Sequence, residues 1–487
     1  MINQEIRSLE PHKLWNFFSD LNAVPRPSKK EEKVREFIKN FGNSLNLETL
    51  EDRVGNILIK KPATSGLETK KKVVLQSHLD MVCQKNNDVN FDFDSEGIKM
   101  QIEGDWVSAV GTTLGADNGI GVASIMAILA SDNIEHPDIE ALFTIDEETG
   151  MTGAFGLEEG FLSGDILLNL DTEEDDEIDI GCAGGIDVSA FKTYPLETAN
   201  SHEISAKLKI IGLHGGHSGM DIHKGLGNSN KLVSRFLYAF LDSGIKVESF
   251  DGGGLRNAIP REATVKFVIS NEKKNTIESI FDRLRKDIVE EFKNIEENLE
   301  ILLSWEDSQN QTLTKEDTFT FVSALTALHN GVFRMSPEIA DLVEASNNIA
   351  RVELIDGKAK ILCLTRSSVE SSKLWLADSL KSVLNLAGMN VEFSGSYPGW
   401  KPNPDSEILK TAIKIYQDQN LEKPMVMACH AGLECGIIGE KYPEMEMISF
   451  GPTIKGAHSP KEKVSISSVQ KYWIYLLEIL KNIPARH

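Results

Sequence analysis

Apolar residues follow two rhythms along the chain. In the first part they come as short unbroken runs: VVLQS at 73–77, ALFTI at 141–145 and ILLNL at 166–170. Such runs predict strands buried on both faces of a mostly parallel sheet. Between the first two lies GIGVASIMAILA (119–130), an apolar helix suited to cover that sheet, and KKEEKVREFIKNFG (29–42) predicts an amphipathic helix stopped by Gly42. The order strand, helix, strand argues for an α/β domain.

After about residue 186 the rhythm changes. In ISAKLKI (204–210), Ile204, Ala206, Leu208 and Ile210 alternate with Ser205, Lys207 and Lys209, the pattern of a strand with one wet face. A helix at 229–244, a strand at 263–270 and a charged helix at 273–298 follow. A second set from about 300 to 395 holds a hairpin, ARVELIDGKAKILCLT, turning at Asp356-Gly357, and a helix near 370–388. These sets predict one or two small α+β subdomains. YPGWKPNPD (397–405) reads as a linker, and the remainder returns to helix-strand alternation, ending in a helix at 467–483. The predicted architecture is α/β: a mixed, mostly parallel sheet covered by helices, built from residues 1–186 plus 400–487, with an α+β lid domain inserted at 187–399.

Composition narrows the function classes. The chain has 487 residues and a net charge of 51 − 74 = −23, which argues against nucleic acid or anionic membrane as partners. No apolar stretch approaches the roughly 20 residues that span a bilayer, and residues 1–18 lack the apolar core of a signal peptide. Five scattered cysteines suit reduced thiols better than a disulfide framework. A cytoplasmic location is predicted.

The apolar runs end in ionisable groups. The first leads to His78 and Asp80, two apart and so on one face of the strand. The second leads to Glu147 and Glu148, in DEETG, and the third to Asp171; a helix start supplies Asp117, in GADNG. The carboxyl ends of parallel strands gather along one edge, where ligands bind. Each residue alone suits a helix cap or a solvated turn. Together, several carboxylates on one edge repel unless a cation neutralises them. Imidazole with carboxylates suits zinc, cobalt or manganese, and there are enough ligands for two ions.

The chain resembles the dinuclear zinc peptidases related to bacterial carboxypeptidases and aminoacylases. Within them it resembles the aminoacyl-histidine (Xaa-His, carnosine-splitting) dipeptidases. SHLDMVCQKN (77–86), GADNGIG (115–121), DEETGMTGA (146–154), GGHSGMDIHKG (215–225), RNAIP (256–260), YPGWKP (397–402), HAGLECG (430–436) and GAHSP (456–460) carry the likeness, in order. The resemblance implies two divalent ions per chain, one held by His78, Asp117 and Asp171, the other by Asp117, Glu148 and His458, with Asp117 bridging. It implies that Asp80 orients His78, that the Asp117–Asn118 peptide is cis, and that Glu147 is the general base for a metal-bridging water. His217 would stabilise the oxyanion, and Asn257 and Arg366 would hold the substrate, Arg366 at its carboxylate. It implies a small peptide substrate and a homodimer formed through the lid. A hydrolase of another small amide, such as an N-acyl amino acid, and a non-catalytic metal-binding protein of this fold are the alternative readings. His214 and His223 read as surface or supporting residues, Cys429, His430 and Cys435 as buried thiols and a pocket wall, and His12, His136, His202, His329 and His487 as having no role in the chemistry.

Overall fold

The three apolar runs form adjacent strands. The computed structural model describes residues 3–86, 88–306 and 311–486, so His487 lies outside the described residues. The chain divides into two compact units: Met1–Gly181 with Trp400–Ala428 and Leu433–His487, and Cys182–Gly399 with Cys429–Gly432.

The first unit holds an eight-stranded sheet in the order Glu48–Glu51, Ile57–Lys61, Ile139–Thr144, Val73–His78, Ile166–Asn169, Glu446–Ser449, Glu177–Cys182, Met425–Cys429. The four strands from Ile139–Thr144 to Glu446–Ser449 are parallel. Ile57–Lys61 and Glu177–Cys182 flank them antiparallel. Val73–His78, Ile139–Thr144 and Ile166–Asn169 are buried throughout, as unbroken apolar runs require. The helix Ala116–Leu129 is buried all round except at Asp117. A four-stranded antiparallel sheet pairs Ile454–Lys455 and Lys463–Ser465 with Trp106–Ala109 and Met100–Glu103. His458 sits in the loop between the first two of these.

The second unit is one α+β body on one continuous antiparallel sheet. Its order is Glu300–Glu306, Glu203–Ile211, Ala263–Ser270, Lys246–Gly253, Val343–Ile355, Lys358–Ser367, Gly184–Thr193, Asn390–Tyr397, with Gly331–Met335 also pairing Val343–Ile355. Alternate strand residues such as Ala206, Leu208 and Ile210 share a core with Phe236, Phe240, Phe321 and Leu380 from the helices Ser229–Phe240, Lys315–Ala327 and Glu370–Leu386. Asp356 and Gly357 both take positive φ, 50° and 76°, as a two-residue hairpin turn demands. The helix expected over 273–298 is shorter, Lys274–Phe292. Its last charged stretch turns away because Glu296 is buried, accepting the backbone N–H of His214 at 2.7 Å and of Gly227 at 2.8 Å. Tyr397, expected in a linker, ends a strand. Among the described residues no helix is long and apolar enough to cross a membrane.

Candidate metal centre

In the first unit, five sequence-distant segments bring their ionisable groups together. His78 ends its strand, Asp171 lies two residues past Ile166–Asn169, and Glu147 and Glu148 open the short helix after Ile139–Thr144. Asp117 lies in the first turn of its helix but with φ −78° and ψ 112°, outside helical geometry, and its peptide bond to Asn118 is cis. His78 Nε2 is 3.1 Å from Asp117 Oδ1 and 3.4 Å from Asp171 Oδ1. His458 Nε2 is 3.1 Å from Asp117 Oδ2 and 3.1 Å from Glu148 Oε2. Asp117 thus turns one oxygen to each imidazole. Ligand atoms of His78, Asp117 and Asp171, and of Asp117, Glu148 and His458, lie within 4.8 Å of one another.

These donors fit divalent cations. Asp171 Oδ1 and Glu148 Oε1 are buried acceptors without a hydrogen-bond partner, a costly arrangement unless a positive charge completes it. The charge balance agrees. Burial pushes the Asp171 carboxyl up to about 6 against the pull of His78, with Asp117 and Glu148 adding repulsion. Burial would raise Asp117 too, but its bonds to His458 and His78 hold it well below the usual carboxylate range. His458, hydrogen-bonded to Asp117 and Glu148, is pushed up to about 11. His78 Nδ1 lies 3.3 Å from Asp80 Oδ1. Asp80 also accepts the N–H of Glu147 at 3.0 Å, the N–H of Glu148 at 3.2 Å and the Ser28 hydroxyl at 2.7 Å. Burial raises its pKa, but His78, Ser28 and the Glu147 N–H outweigh that and lower it. One carboxylate thereby fixes both an imidazole and the backbone of the acidic pair.

Glu147 and Glu148 are neighbours in different surroundings. Glu148 faces His458; Glu147 forms no ion pair among the described residues. Burial raises its carboxyl well above the ordinary range, opposed by His78 and reinforced by Asp171, Glu434 and Glu148.

In the second unit, the predicted His217, Asn257 and Arg366 fall in one polar neighbourhood. His217 pairs with Ala258 in an isolated bridge, and the Ser218 N–H donates to the Asn257 carbonyl at 2.8 Å; the Asn257 side chain is exposed. His217 Nδ1 accepts the N–H groups of Gly219 at 3.3 Å and Met220 at 3.1 Å. The proton of the neutral ring therefore sits on Nε2. Arg366 is 5% exposed, yet its only side-chain bond among the described residues is from Nη1 to the Tyr397 hydroxyl, 2.9 Å, and its Nε has no partner. His430 is buried against Ser346, Nε2 to Oγ 2.8 Å.

The remaining expectations divide. His214 is bonded to Glu296 at 3.0 Å, His136 is buried against the Pro137 carbonyl at 2.8 Å, and His12, His202 and His223 are exposed. Cys435 is buried, but Cys429, expected buried, is half-exposed, its Sγ 3.7 Å from Met220 Sδ. Among the described residues no metal-competent group contains a cysteine. Three supporting residues escaped the sequence reading. Buried Arg26 bonds the carbonyls of Leu79 and Asp80 at 3.1 Å each and of Gly115 at 2.6 Å. Glu434, of HAGLECG, accepts from Gln76 and Thr144 at 2.6 Å each, on the two strands that lead to His78 and Glu147. Burial, partly offset by Thr144 and His78, pushes its carboxyl up to about 8. Glu462 is the third. Arg26 and Glu462 are lone charged residues in polar stretches, so no local pattern marks them; Glu434 lies within the HAGLECG stretch, where nothing local assigns it a partner.

A model of peptidase family M20/M25/M40 matches residues 74–482. The cytosol non-specific dipeptidase of Escherichia coli is 44% identical over 483 residues, spanning 99% of this chain and 100% of the relative. The crystal structure of an aminoacylhistidine dipeptidase from Vibrio alginolyticus matches with TM-score 0.94 and 45% identity, covering 100% of this chain and 99% of that one. An aminopeptidase from Bacillus cereus shares the fold alone, with TM-score 0.57 and 16% identity over 98% of this chain and 99% of its own.

Proposed function

The chain belongs to peptidase family M20/M25/M40, and from that premise we propose that it hydrolyses unblocked dipeptides, Xaa-His dipeptides among them, with two divalent metal ions. The observation that carries the reading is the Asp117 carboxylate, which offers one oxygen to each of two imidazoles beside buried acceptors that lack a hydrogen bond. His78, Asp117 and Asp171 would hold one ion and Asp117, Glu148 and His458 the other. The donor set suits zinc, with cobalt or manganese as substitutes. When bound, such ions polarise the scissile carbonyl and acidify water.

The protein's own groups do the rest. Glu147 takes the proton of the attacking water and delivers it to the departing amine; burial raises its affinity for that proton. Asp80 holds the His78 ring in orientation. His217, with its proton on Nε2, donates to the developing oxyanion. The buried, under-partnered Arg366 grips the substrate carboxylate, with Asn257 as a further substrate contact. The relatives' names support a dipeptide substrate and differ on its breadth, one non-specific and one aminoacylhistidine. The word "cytosol" in the first supports a cytoplasmic location. A homodimer formed through the second unit completes the reading.

One observation also suits an N-acyl amino acid: such a molecule ends in the same free carboxylate that Arg366 would grip. The test is a panel of carnosine, other dipeptides and N-acetyl amino acids, with metal content measured before and after exhaustive chelation. Free histidine should appear from carnosine, acetate should not appear from the N-acetyl compounds, and chelation should abolish turnover. Activity persisting with metal verified absent would overturn the mechanism, and a preference for acetate release would overturn the substrate.

A further inference from the structure

Glu462 lies four residues beyond His458 and has no part in the chemistry above. It is 2% exposed. Its Oε2 accepts the backbone N–H of Leu114 at 2.7 Å and of Gly115 at 3.0 Å; its Oε1 accepts those of Ala116 at 2.7 Å and of Asp117 at 3.3 Å. Four consecutive N–H groups thus converge on one carboxylate. Consecutive N–H groups point the same way when the chain curls through a left-handed residue, forming an anion-binding concavity, and Gly115 has φ 71°. From the other side, Arg26 grips the Gly115 carbonyl at 2.6 Å. A Cβ on Gly115 would lie 2.5 Å from Arg26 Nη2, so a side chain there would displace the guanidinium from this grip. The loop that delivers Asp117 is held between a buried anion and a buried cation, and the anion comes from the turn that delivers His458.

We propose that Glu462 is a positioning residue of the metal centre, holding the Asp117 carboxylate in its place between His78 and His458. The inference rests on the dinuclear reading above. Its physical content is simple. Water cannot replace Glu462 at a buried site, so losing part of the carboxylate leaves backbone donors unsatisfied, and the 114–117 loop must move to recover them. Asp117 moves with it, and because Asp117 serves both ion sites, both weaken together.

The test titrates chelator-stripped full-length protein with Co2+, read by its visible spectrum. Wild type should take up two equivalents. Glu462→Gln keeps one carbonyl oxygen but turns an amide N–H2 toward the other pair of donors; uptake should weaken by about 10–100-fold, the usual effect of losing an outer support of a metal site. Glu462→Asp keeps the charge without the reach and should weaken uptake in the same direction; it carries the test alone if the glutamine variant does not fold. Ser465→Ala is the control. It removes the cap that Ser465 provides to the Ser468 N–H in the same segment, so it should lower the melting temperature and leave Co2+ uptake at the wild-type level. The inference is overturned if both Glu462 variants bind two Co2+ with wild-type affinity, or if their weakening is no greater than that of Ser465→Ala. A wild type that takes up no Co2+ overturns the dinuclear reading itself, and the inference with it.

Discussion

Around Asp117, in the first unit, buried acceptors outnumber donors: Asp171 and Glu148 each keep an oxygen without a hydrogen bond. Around Arg366, in the second unit, the shortage is reversed. There the guanidinium Nε is an unpartnered donor, His430 and His217 are kept neutral by burial and by the guanidinium's charge, and no carboxylate forms an ion pair with Arg366 among the described residues. Most buried polar groups in a folded protein are satisfied internally. A cluster that departs from this in one direction suits a ligand of the opposite character. Excess acceptors call for a cation, and an excess donor calls for an anion. A zwitterionic substrate hydrolysed with metal ions needs both kinds of site.

The sharpest way to break the comparison is within the acceptor-rich cluster. Glu147→Gln should cut turnover at least about 10²-fold, the usual contribution of a general base, with metal content near wild type. Glu148→Gln should lose metal, because Glu148 is the one that faces His458. Metal analysis of both variants decides the matter, and equal metal loss would mean that the two neighbours do not divide the work.

A smaller effect is expected in the donor-rich cluster. Arg366→Lys should lower kcat/KM for free-acid dipeptides by about 10–100-fold, the worth of a charge-assisted bidentate contact. C-terminally amidated dipeptides should be poor substrates of the wild type and lose much less on substitution. Equal penalties on both substrates would show that Arg366 does not read the carboxylate.

A separate effect is on stability. Burial first, then the charges of Arg366, His217 and His223, push His430 down to about 3. Its folded pKa lies below the unfolded value of about 6.5. The neutral ring therefore contributes stability that is complete above pH 6.5 and is lost as pH falls toward 3. The wild-type advantage over His430→Gln should shrink by about 1.4 kcal/mol per pH unit in that window. Urea unfolding of both proteins from pH 7 to 4 measures it, and parallel curves would refute it.

The parallel core was legible because its strands are buried on both faces and so advertise themselves as unbroken apolar runs. His78, Glu147, Glu148 and Asp171 were legible because each follows such a run. The end of the helix at Phe292 was not, since Glu296 leaves the helical pattern only through its bonds to His214 and Gly227, more than sixty residues away. The nine-stranded sheet of the second unit was equally hidden: pairings such as Gly184–Thr193 with Asn390–Tyr397 cross two hundred residues and leave no mark in either strand.

The sequence by itself determined which groups reach the sheet edge, because the two-residue period of a strand and its apolar content are local properties. Only the tertiary structure decided what each group meets there. Glu147 and Glu148 are the same residue type, side by side, and differ because one side chain meets His458, some three hundred residues on. Arg26 and Glu462 sit in stretches, PRPSKK and SPKEK, that read as solvated surface. They are buried because distant backbone, with its own unsatisfied donors and carbonyls, closes over them, and no local window contains both partners of such a contact.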